Sequence, residues 1–197
     1  MNPPARRRAA DAPAPAPEDS RSRLLEAAKD VFAEKGYAGA RVQEIADRAG
    51  VNKQLINYYF GGKSGIYAEL GRQWLTNETE LQDPELPYEE LVLGYLRTNF
   101  ADSRGIRLKA WSELTGRPDD SEPNREDLAD IERRQAEGEL SDTISPAMVM
   151  LLSQALVMAP HLMPDTVRGI FGSDPADPEF QRAYAEQLAR TLRLLRA

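Results

Sequence analysis

The chain reads as an all-α protein: a small N-terminal unit of three helices, followed by a larger helical body. Three observations predict this. Apolar residues recur at intervals of three and four through most of the 197 residues, with no sustained alternation of period two. Glycine and proline mark breaks between these periodic stretches at Gly50, Gly61-Gly62 and Asp83-Pro84-Glu85-Leu86-Pro87. Charge is divided unevenly: residues 1–75 hold 12 Lys+Arg against 9 Asp+Glu, and the remainder 13 against 23. An overall charge of −7 therefore conceals a basic first part and an acidic second one.

Composition closes off several classes. Without cysteine there are no disulfides or thiolate metal sites, and a single histidine, His161, leaves little for metal ligation or acid–base catalysis. There is no Ser/His/Asp set, phosphate-binding glycine loop or metal cluster, so the chain is not expected to be an enzyme and no cofactor is implied. No apolar run reaches the length of a membrane span and no secretory signal opens the chain, which reads as soluble and cytoplasmic.

Taken in order, residues 1–18 carry Arg6-Arg7-Arg8 and then alternating Ala and Pro, an extended arm. It is either a solvated tail or a set of arginines that reach DNA phosphates or the minor groove. A helix is predicted from Arg21 to Lys35, capped by Ser20, with Leu24, Leu25, Ala28, Val31 and Phe32 inward. The next carries Val42, Ile45, Ala46 and Ala49 on one face and ends at Gly50, where a left-handed step is free of Cβ strain. Asn52 is placed to cap the helix after it. There Ile56, Tyr59 and Phe60 anchor, while Lys53, Gln54, Asn57 and Tyr58 point outward. Helix, glycine turn, and helix with an outward polar and aromatic face is the pattern that reads the DNA major groove.

Residues 20–72 resemble the DNA-binding domain of the TetR family of transcriptional repressors. The resemblance rests on the opening helix Leu24 to Tyr37, the Ile45-Ala46 and Ala49-Gly50-Val51 turn, and the closing Tyr59-Phe60-Gly61-Gly62-Lys63. It covers about a quarter of the chain. It implies base-edge contacts from Gln43, Lys53 and Gln54, with Gln suited to adenine and Lys to guanine. Tyr58 and Lys63 then serve as phosphate partners, and Arg41 contacts phosphate by charge where members often have a hydroxyl. Leu55 stands where the family often has Thr and can pack on a thymine methyl; Asn57 replaces the usual Tyr. The interface set is thus Arg41, Gln43, Asn52, Lys53, Gln54, Leu55, Asn57, Tyr58 and Lys63.

Beyond this unit the resemblance is to a general plan, with residues 19–66 as the reading head and 67–197 as an effector-binding and dimerisation body. A helix from Lys63 to Glu80, marked by Ile66, Leu70 and Trp74, joins the two. Helices follow at 88–100 and 104–114, and a thin-faced one at 125–137 is expected on the surface as a gate. Ala147 to Ala159 is apolar nearly all round and is expected to be buried on more than one side. The last helix, 179–195, carries the stripe Phe180, Tyr184, Leu188, Leu192 and Leu195. Leu151, Ala155 and that stripe either complete a monomer's core or form the homodimer contact that the family makes through its last two helices. A pocket for a small apolar or amphipathic ligand is implied by the resemblance, lined by Phe100, Trp111, Met148, Leu151, Leu152 and Met158. Gln154 or His161 supplies the polar contact, and His161 can equally be an exposed loop residue. The leading function is a dimeric repressor on a double-stranded palindromic operator, released by ligand. The alternative is a protein that coats DNA with little sequence preference.

Overall fold

The computed structural model describes residues 17–81, 85–116 and 128–196, with side chains left aside at 17–18 and 74–81. Among these residues there are ten helices and no strand, only an isolated antiparallel bridge between Leu140 and Arg196. The all-α expectation is met. Residues 1–16 of the arm expected at 1–18, the Trp74 side chain and the first part of the expected 125–137 helix lie outside what is described.

The helices are α1 (Pro17–Gly39), α2 (Val42–Ala49), α3 (Gln54–Phe60), α4 (Lys63–Leu81) and α5 (Tyr88–Ala101). They continue with α6 (Arg104–Thr115), α7 (Ala129–Ala136), α8 (Pro146–Leu162), α9 (Pro164–Phe171) and α10 (Pro178–Arg193). Buried apolar residues form two clusters. One joins Leu24, Ala28, Val31 and Phe32 of α1 to Ile45 and Ala46 of α2, Ile56 of α3, and Ile66 and Leu70 of α4. The other joins Val92 and Leu96 of α5 to Ile106, Ile131, Val149 and Val157, and to Phe180, Tyr184, Leu188 and Leu192 of α10. Because Leu70 packs with the first cluster, the head's core runs past residue 66 into α4.

Four elements differ from the sequence expectation, each for a physical reason. Ser20 does not cap α1, which begins at Pro17 and buries Ser20 inside its second turn. α7 lies at the surface with Ala129, Glu132 and Ala136 exposed, but its inner face holds more than the apolar residues expected there: beside Ile131, Arg134 is 1% exposed and packs into the body. This arginine can be buried because its charge is balanced within the fold. Nε of Arg134 donates to Asp130 at 2.6 Å, and Nη1 donates to Glu139 and to the Leu86 carbonyl, both at 2.8 Å. The segment after Pro160 holds an additional helix, α9, started by Pro164 at its first position. Finally, α8 buries only Val149, Ser153, Val157 and Pro160; Met148, Leu151 and Leu152 on its other side are exposed.

The head and body meet chiefly where α6 lies along α1. Trp111 of α6 stands against Gly36, where an added Cβ would fall 2.9 Å from the indole ring, and its Nε1 donates to the Ala33 carbonyl at 3.3 Å. Trp111 is thus a joint between the two units, not a residue facing Phe100.

Candidate nucleic-acid interface

The reading unit is set by short-range backbone chemistry. Gly50 ends α2 in the left-handed conformation (φ 66°, ψ 36°) and its N–H returns to the Asp47 carbonyl at 3.1 Å. The Asn52 side chain accepts from the Gln54 N–H at 2.9 Å, capping α3 as its position suggested. No side chain caps α2: Arg41 holds that position in extended conformation and stays exposed. Ile56 is fully buried at the centre of α3, which fixes the opposite face outward.

That outward face carries most of the residues named from sequence. Gln43, Asn52, Lys53, Gln54, Asn57 and Tyr58 are exposed together on α2, the turn and α3. Tyr58 is 79% exposed and meets Tyr59 edge-on, with ring centres 5.0 Å apart. Gln43 is braced by donating to Asp47 at 2.8 Å. Two residues sit differently. Leu55 is half-buried and packs against the head's core. Lys63 opens α4 with its ammonium 4.6 Å from the centre of the Tyr37 ring, and partial burial lowers its pKa. It is therefore anchored beside the helix N-terminus rather than extended into solvent.

Several residues that hold this face in place gave little sequence signal. Arg48 of α2 donates to both oxygens of Glu34 on α1, at 2.7 and 3.0 Å, a bidentate clamp on the angle between the helices. The hydrogen bond to Arg48 holds the Glu34 carboxyl below its usual range. Arg21 donates to Glu69 of α4 at 2.7 Å and lies 5.3 Å over the Phe60 ring. Gly65 lets α4 start directly against the end of α3: a Cβ there would fall 1.6 Å from the Phe60 carbonyl oxygen. Gly65 was not singled out in the sequence, and the Arg48–Glu34 pairing, 14 residues apart, had no local mark.

In the body, the proposed ligand contacts divide. Phe100 and His161 come together, with ring centres 5.1 Å apart, and Tyr184 lies 6.5 Å from Phe100. His161 belongs to the last turn of α8 rather than to a loop; its Nε2 is buried without a partner, and burial lowers its pKa. Met158 packs against the same core. Met148, Leu151 and Leu152 face outward instead. Of the residues named for a dimer contact, Phe180, Tyr184, Leu188 and Leu192 are buried in the chain's own core, Leu195 is half-buried, and Leu151 and Ala155 are exposed.

Comparison with known proteins now bears on this geometry. Residues 24–70 match the family model for bacterial regulatory proteins of the tetR family, and residues 90–191 match that of a tetracyclin repressor-like C-terminal domain. The second alone spans more than half of the chain. The chain belongs to the TetR family. It is a TetR-like transcriptional regulator with a DNA-binding helix-turn-helix. The HTH-type transcriptional repressor SCO4008 of Streptomyces coelicolor is 28% identical over 185 residues, covering 89% of this chain and 96% of the relative. The HTH-type regulator YttP of Bacillus subtilis is 25% identical over 196 residues, covering 86% and 90%. Among solved structures, a transcriptional regulator of Streptomyces coelicolor (SCO4942) superposes with a TM-score of 0.70 at 24% identity, covering 87% of this chain and 97% of that one. A TetR family regulator from Chloroflexus aurantiacus gives 0.65 at 19% identity, covering 91% and 93%. These relatives are named as regulators, not enzymes. No single described helix is long and apolar enough to cross a membrane.

Proposed function

We propose that this TetR-family regulator is a repressor that binds a palindromic operator as a homodimer and leaves it when a small apolar or amphipathic ligand enters the body. Residues 19–66 act as the reading head and 67–197 as the effector and dimerisation part. The observation that carries the reading is the single exposed face formed by Gln43, Lys53, Gln54, Asn57 and Tyr58, clear of the buried Ile56. Polar side chains converging on one face of a helix of this size suit the major groove, where Lys pairs with guanine and Gln with adenine. Arg41 and Lys63 at its margins supply charge for phosphates.

For the dimer, the α10 stripe is committed to the core, so the outward apolar side of α8, with Met148, Leu151 (60% exposed), Leu152 and Ala155, is the surface left for a second copy. For the ligand, the Phe100–His161 pair offers an aromatic wall and a buried nitrogen in need of a partner. A ligand that releases DNA must bind the DNA-incompatible arrangement better than the competent one.

The test is selection of bound DNA from a random duplex pool at near-physiological salt. An enriched inverted repeat is expected, and Lys53→Ala or Gln54→Ala should weaken its binding by about 1–3 kcal/mol while relaxing preference at particular base pairs. Binding without any enriched sequence, fading smoothly with salt, would instead make this a protein that coats DNA.

A further inference from the structure

Among the described residues, two buried side-chain nitrogens have no hydrogen-bond partner: Nη2 of Arg134 and Nε2 of His161. A buried nitrogen left unpaired is costly and calls for a reason. For Arg134 the chain supplies one. The same guanidinium is bonded to Asp130, Glu139 and the Leu86 carbonyl, and it lies 5.8 Å from the centre of the Tyr88 ring. For His161 the chain supplies none. Its ring meets Phe100 at 5.1 Å between centres, an apolar surface. No charged group among the described residues acts on the imidazole; burial alone lowers its pKa and keeps it uncharged at neutral pH.

The imidazole is held in place by a specific device. Pro160, inside α8, has no N–H, so the Leu156 carbonyl one turn earlier loses its helical donor. The Tyr184 hydroxyl of α10 donates to that carbonyl at 2.7 Å. The last turn of α8, which carries His161, is thereby tied to α10 where the helix lacks its own bond. Rings then lead outward from the unpaired nitrogen. Phe100 lies 6.5 Å from Tyr184, and Tyr184 lies 5.8 Å from Phe171, which is half exposed. His161 is thus the polar end of an aromatic wall that reaches the surface.

A guest on this wall must offer one hydrogen-bonding group to Nε2 and apolar surface to the rings. A charge of either sign would lose its hydration and find no counter-charge at this nitrogen. A neutral imidazole presents Nε2 as a donor or as an acceptor, according to its tautomer. A carbonyl or ether oxygen satisfies only the first form, whereas a hydroxyl donates and accepts and satisfies either. We propose that His161 selects the effector of this regulator, and that the effector is a neutral hydroxyl compound, an alcohol or phenol on an apolar ring or chain. The assignment rests on the reading above that the body takes a small ligand; the operator and its symmetry do not enter it.

Ligand-observed fluorine NMR on the full chain tests this with 4-fluorophenol and 4-fluorotoluene, which match in shape and differ in the hydroxyl. Both should bind the wild type. In His161→Phe the phenol-to-toluene affinity ratio should fall by roughly three- to tenfold, because only the phenol loses a partner. His161→Gln, which keeps a hydrogen-bonding side chain, should retain part of that ratio. 4-Fluorobenzoate and 4-fluorobenzylammonium should bind roughly tenfold more weakly than the phenol, or less. The chain has a single histidine, so its Nε2 resonance is identified without further assignment. 4-Fluorophenol should shift that resonance, and 4-fluorotoluene should leave it nearly in place. A ratio unchanged in His161→Phe, charged probes that bind as well as the phenol, or no binding of the phenol overturns the proposal. If 4-fluorophenol binds through His161 yet operator DNA is not released, the ligand-released repressor reading fails while the chemistry assigned to His161 stands.

Discussion

Gly65 offers a sharp test of how the recognition helix is held. Replacing glycine by alanine inside an exposed helix ordinarily stabilises it by up to about 1 kcal/mol. Both Gly65 and Gly71 lie in α4, so propensity alone predicts the same sign for both. Space separates them. A Cβ at Gly71 meets nothing within 4 Å, whereas one at Gly65 falls 1.6 Å from the Phe60 carbonyl oxygen and 2.8 Å from its carbon. Real Cβ atoms essentially never approach closer than 3.0 Å, so the α3–α4 junction must open by more than an ångström. The obstructing atoms are backbone and cannot rotate away. Overpacking of this kind costs about 1–3 kcal/mol, and rigid backbone on both sides puts Gly65→Ala at the upper end. Net of propensity, Gly65→Ala should destabilise by about 2 kcal/mol and Gly71→Ala should be neutral or mildly stabilising. Displacing Phe60 also displaces the end of α3 and the Arg21 contact on its ring, so operator binding should weaken for Gly65→Ala. Urea unfolding of the full chain followed by helical circular dichroism, compared at constant slope, measures the difference. Equal midpoints for the two variants would show that the junction is not packed as described.

Two further outcomes follow from the body. Arg134→Ala should destabilise by about 2–4 kcal/mol by urea unfolding, below what a wholly buried pair would lose because Asp130 and Glu139 stay one-third exposed; a loss within 0.5 kcal/mol, about the ordinary effect of a surface change, would contradict its central role. His161 should make stability pH-dependent. Unfolded, the imidazole takes a proton near its ordinary value of 6.5, while burial against Phe100 resists protonation in the fold. The unfolded state then holds more protons, so stability falls as pH drops below 6.5 and levels off beneath the lowered folded value. His161→Phe should remove that component, which sets in below pH 6.5, while leaving the carboxylate-driven loss at lower pH, and identical profiles for variant and wild type would contradict it.

Much of the head was legible because its determinants are local. The cap at Asn52, the left-handed Gly50 and the inward Ile56 each depend on a few neighbouring residues, so spacing alone placed them. The body was harder. An apolar helix such as α8 shows no polar side from which to tell its buried face, and the exposure of Met148, Leu151 and Leu152 emerges only when α5 and α7 cover the opposite one. Arg134 misled for the converse reason. Charge in a sequence signals solvent unless partners are known, and one of its partners, the Leu86 carbonyl, lies 48 residues away. Trp111 was assigned to a pocket wall by resemblance yet docks on α1 against Gly36, 75 positions earlier.

The sequence by itself determined the helices, the glycine turn, the outward polar face and the division of charge, since each follows from short-range sterics, hydrogen bonding and composition. Only the tertiary structure decided which apolar stripes face inward, that α10 spends its stripe on the chain's own core, and that His161 of α8 meets Phe100 of α5. Those outcomes depend on distances between residues far apart in the chain, where an ion pair or packed face exists only after the helices have met.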